Sequence, residues 1–206
     1  VIHIIGTQQR GAYADAFDTM FADRKALFVD LLGWDVPVVD GRYEIDRFDD
    51  AHAVYVVALD TAGDHHGSLR LLPSTRPHIL DTLFAPLCAS GVPHGANVWE
   101  ITRLCLPSRL GAPRRLAVRN RLISAMVDHA IEAGMDRLTG VVEAGFRKEI
   151  LAMGWLAEPL GPAMRFDGAN LGAFAIHVAA DTPDRLRWTG IYQDGARARA
   201  AERAAA

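Results

Sequence analysis

Residues 98–106 read VWEITRLCL, and residues 114–133 read RRLAVRNRLISAMVDHAIEA. The first stretch is apolar and rich in residues that favour a pleated, buried strand. The second puts Leu116, Leu122, Ile123, Met126, Val127, Ala130 and Ile131 on one helical face, and Gly134 ends it. A second apolar run follows at 138–142. Strand, long amphipathic helix and strand in that order predict an α/β fold.

The flanks extend the same pattern. Residues 1–5 and 53–59 predict strands, and 68–72 closes a hairpin across the polar turn 60–67. A helix is predicted over 12–32, with Tyr13, Phe17, Met20, Phe21, Leu27, Phe28 and Leu31 on one stripe and Gly33 as its stop. Residues 73–97 are rich in Pro and Gly and read as irregular. A short helix at 146–153 and a strand at 171–179 complete the elements. No repeat or linker is visible. The expectation is one α/β domain over residues 1–194, a mixed sheet flanked by helices, and an Ala- and Arg-rich tail over 195–206.

Composition narrows the function classes. Half of the residues are apolar and the net charge is −3, which argues against non-specific nucleic-acid binding. Cys88 and Cys105 are too few for a disulfide framework or a zinc site, so no metal is expected. VIHIIG at the start lacks the features of a secretion signal, and no apolar run has the length of a membrane span. A cytoplasmic protein with no membrane insertion is expected.

Charges in apolar settings mark the candidate chemistry. Arg24 lies on the stripe of Phe17, Met20, Phe28 and Leu31, where a charge must pair or snorkel out. EIDRFDD, residues 44–50, concentrates Glu44, Asp46, Asp49 and Asp50, and alternation puts Glu44 and Asp46 on one side. Glu100 and Arg103 interrupt an otherwise apolar strand, and Arg70 does the same within SLRLL. Such a set is either a structural ion-pair network or a site. Arg109, Arg114, Arg115 and Arg119 collect at the start of the long helix, where a phosphate or an acidic partner would be favoured.

These residues resemble the LuxI-type acyl-homoserine lactone (autoinducer) synthases. The resemblance rests on RKALFVDLLGWDVP with Arg24, Phe28 and Trp34, on EIDRFDD with Asp46 and Asp49, and on GSLRLLPS with Arg70. Phe84 in DTLFAPL and the pair Glu100 and Arg103 complete it. It covers residues 1 to about 180. It implies a splayed mixed sheet related to the GCN5-type N-acetyltransferases. It also implies acylation of the S-adenosylmethionine (SAM) amine from an acyl-carrier protein or acyl-CoA thioester. Lactone closure then releases methylthioadenosine. On that reading Glu100, Asp46, Asp49 and Arg70 are catalytic, with Glu100 the first choice of base. Arg24, Phe28, Trp34 and Arg103 bind SAM. Phe84, Leu104, Leu106, Met126, Val142 and Phe146 line the acyl pocket. The four arginines 109, 114, 115 and 119 meet the phosphopantetheine or carrier. No cofactor beyond the substrate SAM is implied.

Three rivals come from the same residues. A generic acyl-CoA N-acyltransferase needs a Gly-rich pyrophosphate loop, and RLGAPRR lacks its second glycine. A non-catalytic protein that binds a signal or a carrier would not need Glu100 or Arg70. A methyltransferase needs a Gly-rich loop after the first strand, which IIGTQQRGAY does not supply.

Overall fold

The computed structural model describes residues 1–196, so residues 197–206 of the expected tail lie outside the described residues. The class is α/β, with a large mixed sheet and flanking helices. The chain divides into two compact units.

The first unit comprises, among the described residues, 1–70, 103–126 and 193–196. It holds β1 (Ile2–Ile5), α1 (Ala14–Arg24), the two short strands β2 (Val38–Val39) and β3 (Tyr43–Glu44), and β4 (Val54–Leu59). It also takes the start of β5 (His65–Pro73), the end of β6 (Val98–Cys105) and the first part of α3 (Ala112–Glu132). β1 pairs antiparallel with β4, from Ile2 opposite Ala58 to Ile5 opposite Tyr55, and β4 neighbours β5. Both inner strands are buried along most of their length, as their near-continuous apolar runs require. Gly67 on β5 faces α3. A Cβ there would stand 2.7 Å from Val118 Cγ1 and 3.1 Å from Leu106 Cδ2. The missing side chain lets helix and strand close on each other.

The second unit comprises residues 71–102 and 127–192. It contains α2 (Ile79–Leu83), the rest of β6 and α3, β7 (Arg137–Glu143), α4 (Ala144–Leu151), β8 (Leu156–Pro159), β9 (Met164–Phe166), β10 (Ala169–His177) and α5 (Thr182–Trp188). β6 and β7 run parallel, with Glu100 opposite Thr139. β10 pairs antiparallel with β7, β8 and β9. Leu80, Leu87, Cys88 and Ala173 form a core here, with Phe84 meeting Phe166 edge to face at 5.2 Å. No described helix is long and apolar enough to cross a membrane.

Several expectations need correction. The helix at 12–32 begins as a 3-10 turn over Thr7–Tyr13, is α-helical to Arg24 and continues as a π-helix over Lys25–Leu31. Wider turns there, such as Leu32 N–H donating to Leu27 O, abandon the 3.6-residue repeat, and Leu31 ends up exposed. The turn 60–67 is shorter than expected because β5 already begins at His65. The segment 73–97 carries α2 and a 3-10 turn. β2 and β3, which fall in and just after a stretch that reads as loop over 34–42, and β8, β9 and α5 lie outside the expected elements.

Candidate active site

α1, β3, the loop after it, β4, β5 and β6 deliver one buried cluster of charges in the first unit. Arg24 ends α1 with its side chain 1 % exposed. Its Nε donates to Glu44 Oε2 at 2.6 Å, and its two Nη groups donate to Asp49 Oδ1 and Oδ2 at 2.8 and 3.0 Å. Arg70 on β5 forks onto Asp46 at 2.7 and 3.0 Å and lies 2.7 Å from Asp49 Oδ1. Arg103 on β6 donates to both Glu44 oxygens and, through Nη2, to Asp46 Oδ2 at 2.7 Å. Three guanidinium groups and three carboxylates therefore cancel in charge and share their oxygens. This is the forked geometry in which arginine and carboxylate bind most strongly.

The loop 45–53 is held from within. Asp46 accepts from the Phe48 amide at 2.8 Å, and Asp49 accepts from the Asp46 amide at 2.8 Å and from Tyr55 Oη at 2.7 Å. Burial alone would raise the pKa of Asp49, but the Arg24 and Arg70 charges and the bonds from Arg24 and Tyr55 outweigh it and hold the group far below the usual carboxylate range. Asp46 is lowered as well, with burial again opposed chiefly by Arg70 and Arg103. The surrounding guanidinium groups thus favour the ionised form of both carboxylates.

An aromatic pair lies beside the cluster. Phe28 and Trp34 stack with centroids 4.7 Å apart, and the Arg103 guanidinium lies 5.7 Å from the Phe28 ring centre. Arg103 is the least buried of the three arginines, at 10 % side-chain exposure, and its backbone is left-handed with φ of 52°. A non-glycine residue in that region breaks the regular strand geometry of β6.

In the second unit Glu100 is 1 % exposed. It accepts from the backbone amides of Ile79 and Leu80 at 2.8 and 2.9 Å, at the start of α2. The buried charge on β6 is thus met by backbone dipoles. Phe84 lies in the apolar core of this unit, Val142 is half-buried on β7 and Phe146 half-buried on α4. In the first unit Met126 is buried on α3, Leu106 packs at Gly67, and Leu104 is half-buried. The four arginines near the start of α3 diverge. Arg114 is exposed, Arg115 turns back to the carbonyls of Ser108 and Leu110, and Arg119 contacts Asn120. Arg109 instead pairs with Asp23 and with the His65 carbonyl.

A family model described as autoinducer synthase matches residues 8–188. The chain belongs to the autoinducer synthase family. An acyl-homoserine-lactone synthase of Ralstonia nicotianae is 36 % identical over 180 residues, covering 84 % of this chain and 87 % of the relative. The structure of a CoA-dependent acyl-homoserine lactone synthase, BjaI, with SAM and isopentyl-CoA, superposes with a TM-score of 0.82 at 29 % identity, covering 98 % of this chain and 97 % of that one. A chain described as an N-acetyltransferase from Lactobacillus plantarum shares the fold, with a TM-score of 0.59 at 18 % identity over 87 % of this chain and 99 % of that one.

Several residues that shape the site of this autoinducer synthase carry no signal in the sequence. Tyr55 reads only as part of a strand, and its hydroxyl shares Asp49 with the arginines. Arg10 donates to the carbonyls of Asp49, Asp50 and Ala53 and so ties down the acidic loop. Its guanidinium lies 5.0 Å from the Tyr55 ring centre. His65 falls in the expected turn 60–67 and instead opens β5. Neither hydropathy nor spacing flags these three. Tyr55 comes in from β4, His65 from the start of β5, and Arg10 from the 3-10 turn Thr7–Tyr13, each through partners far away in the chain.

Proposed function

We propose that this autoinducer synthase makes an acyl-homoserine lactone from SAM and an acyl thioester of carrier protein or coenzyme A. The observation that supports this most is the buried, charge-balanced cluster of Arg24, Arg70 and Arg103 with Glu44, Asp46 and Asp49, flanked by the Phe28–Trp34 stack. A substrate with an ammonium, a sulfonium and a carboxylate suits such a surface. Aromatic faces and carboxylates favour its cations, and a guanidinium favours its carboxylate.

The amine of SAM first gives up one proton, for which Glu100 is the proposed base, directly or through water. The neutral nitrogen attacks the thioester carbonyl. The C–N bond forms, the C–S bond breaks, and the second amine proton goes to the thiolate. The backbone after Arg103 is the proposed source of oxyanion donors. A carboxylate oxygen then bonds to the γ-carbon as the carbon–sulfonium bond breaks, and neutral methylthioadenosine leaves. Arg103 takes the substrate carboxylate. The donors of Arg24 are turned onto Glu44 and Asp49, so its role is to hold these in place, as Arg70 holds Asp46 and Asp49. Phe84, Leu104, Leu106, Met126, Val142 and Phe146 are proposed for the acyl chain. Arg114, Arg115 and Arg119 are proposed for the phosphopantetheine or carrier. No further cofactor is proposed. Residues 1–194 are proposed to act as one synthase domain in the cytoplasm.

Mass spectrometry of organic extracts from cells expressing the chain, beside cells expressing Glu100→Gln, tests this. A homoserine-lactone fragment ion found only with the unaltered chain is the expected result, and the parent mass names the acyl group. Its absence, with both donor types supplied and the protein folded, would refute the reading.

A further inference from the structure

Beside the charged cluster lies a second polar chain that the reaction does not use. His65 opens β5 and is fully buried. Its Nδ1 is 2.6 Å from Asp23 Oδ2 and its Nε2 is 2.9 Å from Ser68 Oγ. Arg109 closes the arrangement, donating to the other oxygen of Asp23 and to the His65 carbonyl. Nδ1–H donates to the carboxylate, which leaves Nε2 to accept from the serine hydroxyl. Burial pushes the imidazole pKa down despite the carboxylate, which favours the neutral ring of this pattern.

The order Asp, His, Ser is that of a nucleophilic triad, yet Ser68 is 1 % exposed and gives a thioester no approach. Its neighbours say more. Asp23 immediately precedes Arg24, and Ser68 stands two residues before Arg70 on the same face of β5. The chain Asp23–His65–Ser68 therefore ties together the two backbone segments that present Arg24 and Arg70. We infer that Asp23, His65, Ser68 and Arg109 are positioning residues, a brace that fixes the arginines holding Glu44, Asp46 and Asp49 and so sets the affinity for SAM. This inference rests on the proposed use of that cluster by SAM. It assigns to Arg109 a task other than contact with the carrier.

The test uses the full chain, with SAM binding followed by calorimetry and turnover followed by lactone release. Asp23→Ala and His65→Leu are expected to raise both Kd and KM for SAM about tenfold. The KM for the acyl thioester and the kcat are expected to stay within about threefold. His65→Asn keeps a donor toward Asp23 and is expected to recover most of the affinity. Loss of folded protein with unchanged SAM affinity in the folded fraction would overturn the brace, and Asp23→Ala, which alters a partly exposed side chain, settles the matter if His65→Leu does not fold. An acyl group found covalently on Ser68, with Ser68→Ala inactive, would also overturn it. Should the unaltered chain neither bind SAM nor form lactone, the functional reading falls and takes the brace with it. Normal wild-type binding with equal affinity in Asp23→Ala sinks the brace alone.

Discussion

Asp49 and Glu100 are both carboxylates with almost no exposed side chain, and their surroundings differ. Asp49 is met by two guanidinium groups, a phenol and one backbone amide. Glu100 accepts from two successive backbone amides at the start of a short helix. Countercharges carried on long side chains tie together distant segments, here the end of α1, the loop 45–53 and β5. Backbone amides need no second buried charge and bind only the local turn. The first arrangement fails by leaving a bare ion, the second by leaving unpaired amides.

The sharpest way to break this contrast is Arg70→Ala. It strips Asp46 and Asp49 of a shared partner in a buried setting, and we expect a loss of about 3–5 kcal/mol in urea unfolding together with loss of lactone formation. Glu100→Gln should behave differently. One amide loses its acceptor and faces an NH2 group, which costs about 1–3 kcal/mol in the same unfolding measurement. Lactone formation per folded molecule should fall about 100-fold or more in a turnover assay if Glu100 is the base. A stability loss with unchanged specific activity would make Glu100 a structural cap only.

Tyr55→Phe removes a single donor from Asp49 and leaves both arginines. A cost of about 1.5–3 kcal/mol is expected by chemical denaturation, since the acceptor is charged. The smallest effect is the acid limb of stability. Folded-state pKa values of Asp46 and Asp49 lie below those of the unfolded chain, so the unfolded state binds more protons in acid. Their contribution is fully present above about pH 4–5 and fades as the pH falls through the folded values. Melting temperatures measured between pH 7 and 3 should therefore fall on the acid side, and Asp49→Asn should flatten part of that slope.

Much of the site was legible as anomaly. Arg24 on an apolar stripe, Arg70 in SLRLL and Glu100 in VWEITRLCL each break a pattern that burial would otherwise dictate. What they pair with was not legible from patterning. Arg24 could equally snorkel, because its partners Glu44 and Asp49 stand 20 and 25 residues away in a loop whose fold no local rule gives. Glu100 and Arg103 sit three residues apart and suggest each other as partners. Each instead satisfies a distant segment, α2 for Glu100 and the acidic loop for Arg103. In the fold, long periodic elements such as α3 read clearly. β8 and β9 are short and largely exposed, so hydrophobic periodicity says nothing of them. α5 carried one usable sign, the Pro183 that opens its first turn.

The sharing of oxygens in the cluster has a consequence for how this region can vary. Each of Arg24, Glu44, Asp46, Asp49, Arg70 and Arg103 has at least two partners, so the cost of changing one depends on what stands at the others. A library of single substitutions would find six intolerant positions and suggest six independent requirements. A library of paired exchanges, such as Arg24→Met with Glu44→Leu, would show them to be one requirement written six times. Drift through this part of the sequence has to proceed in coupled steps.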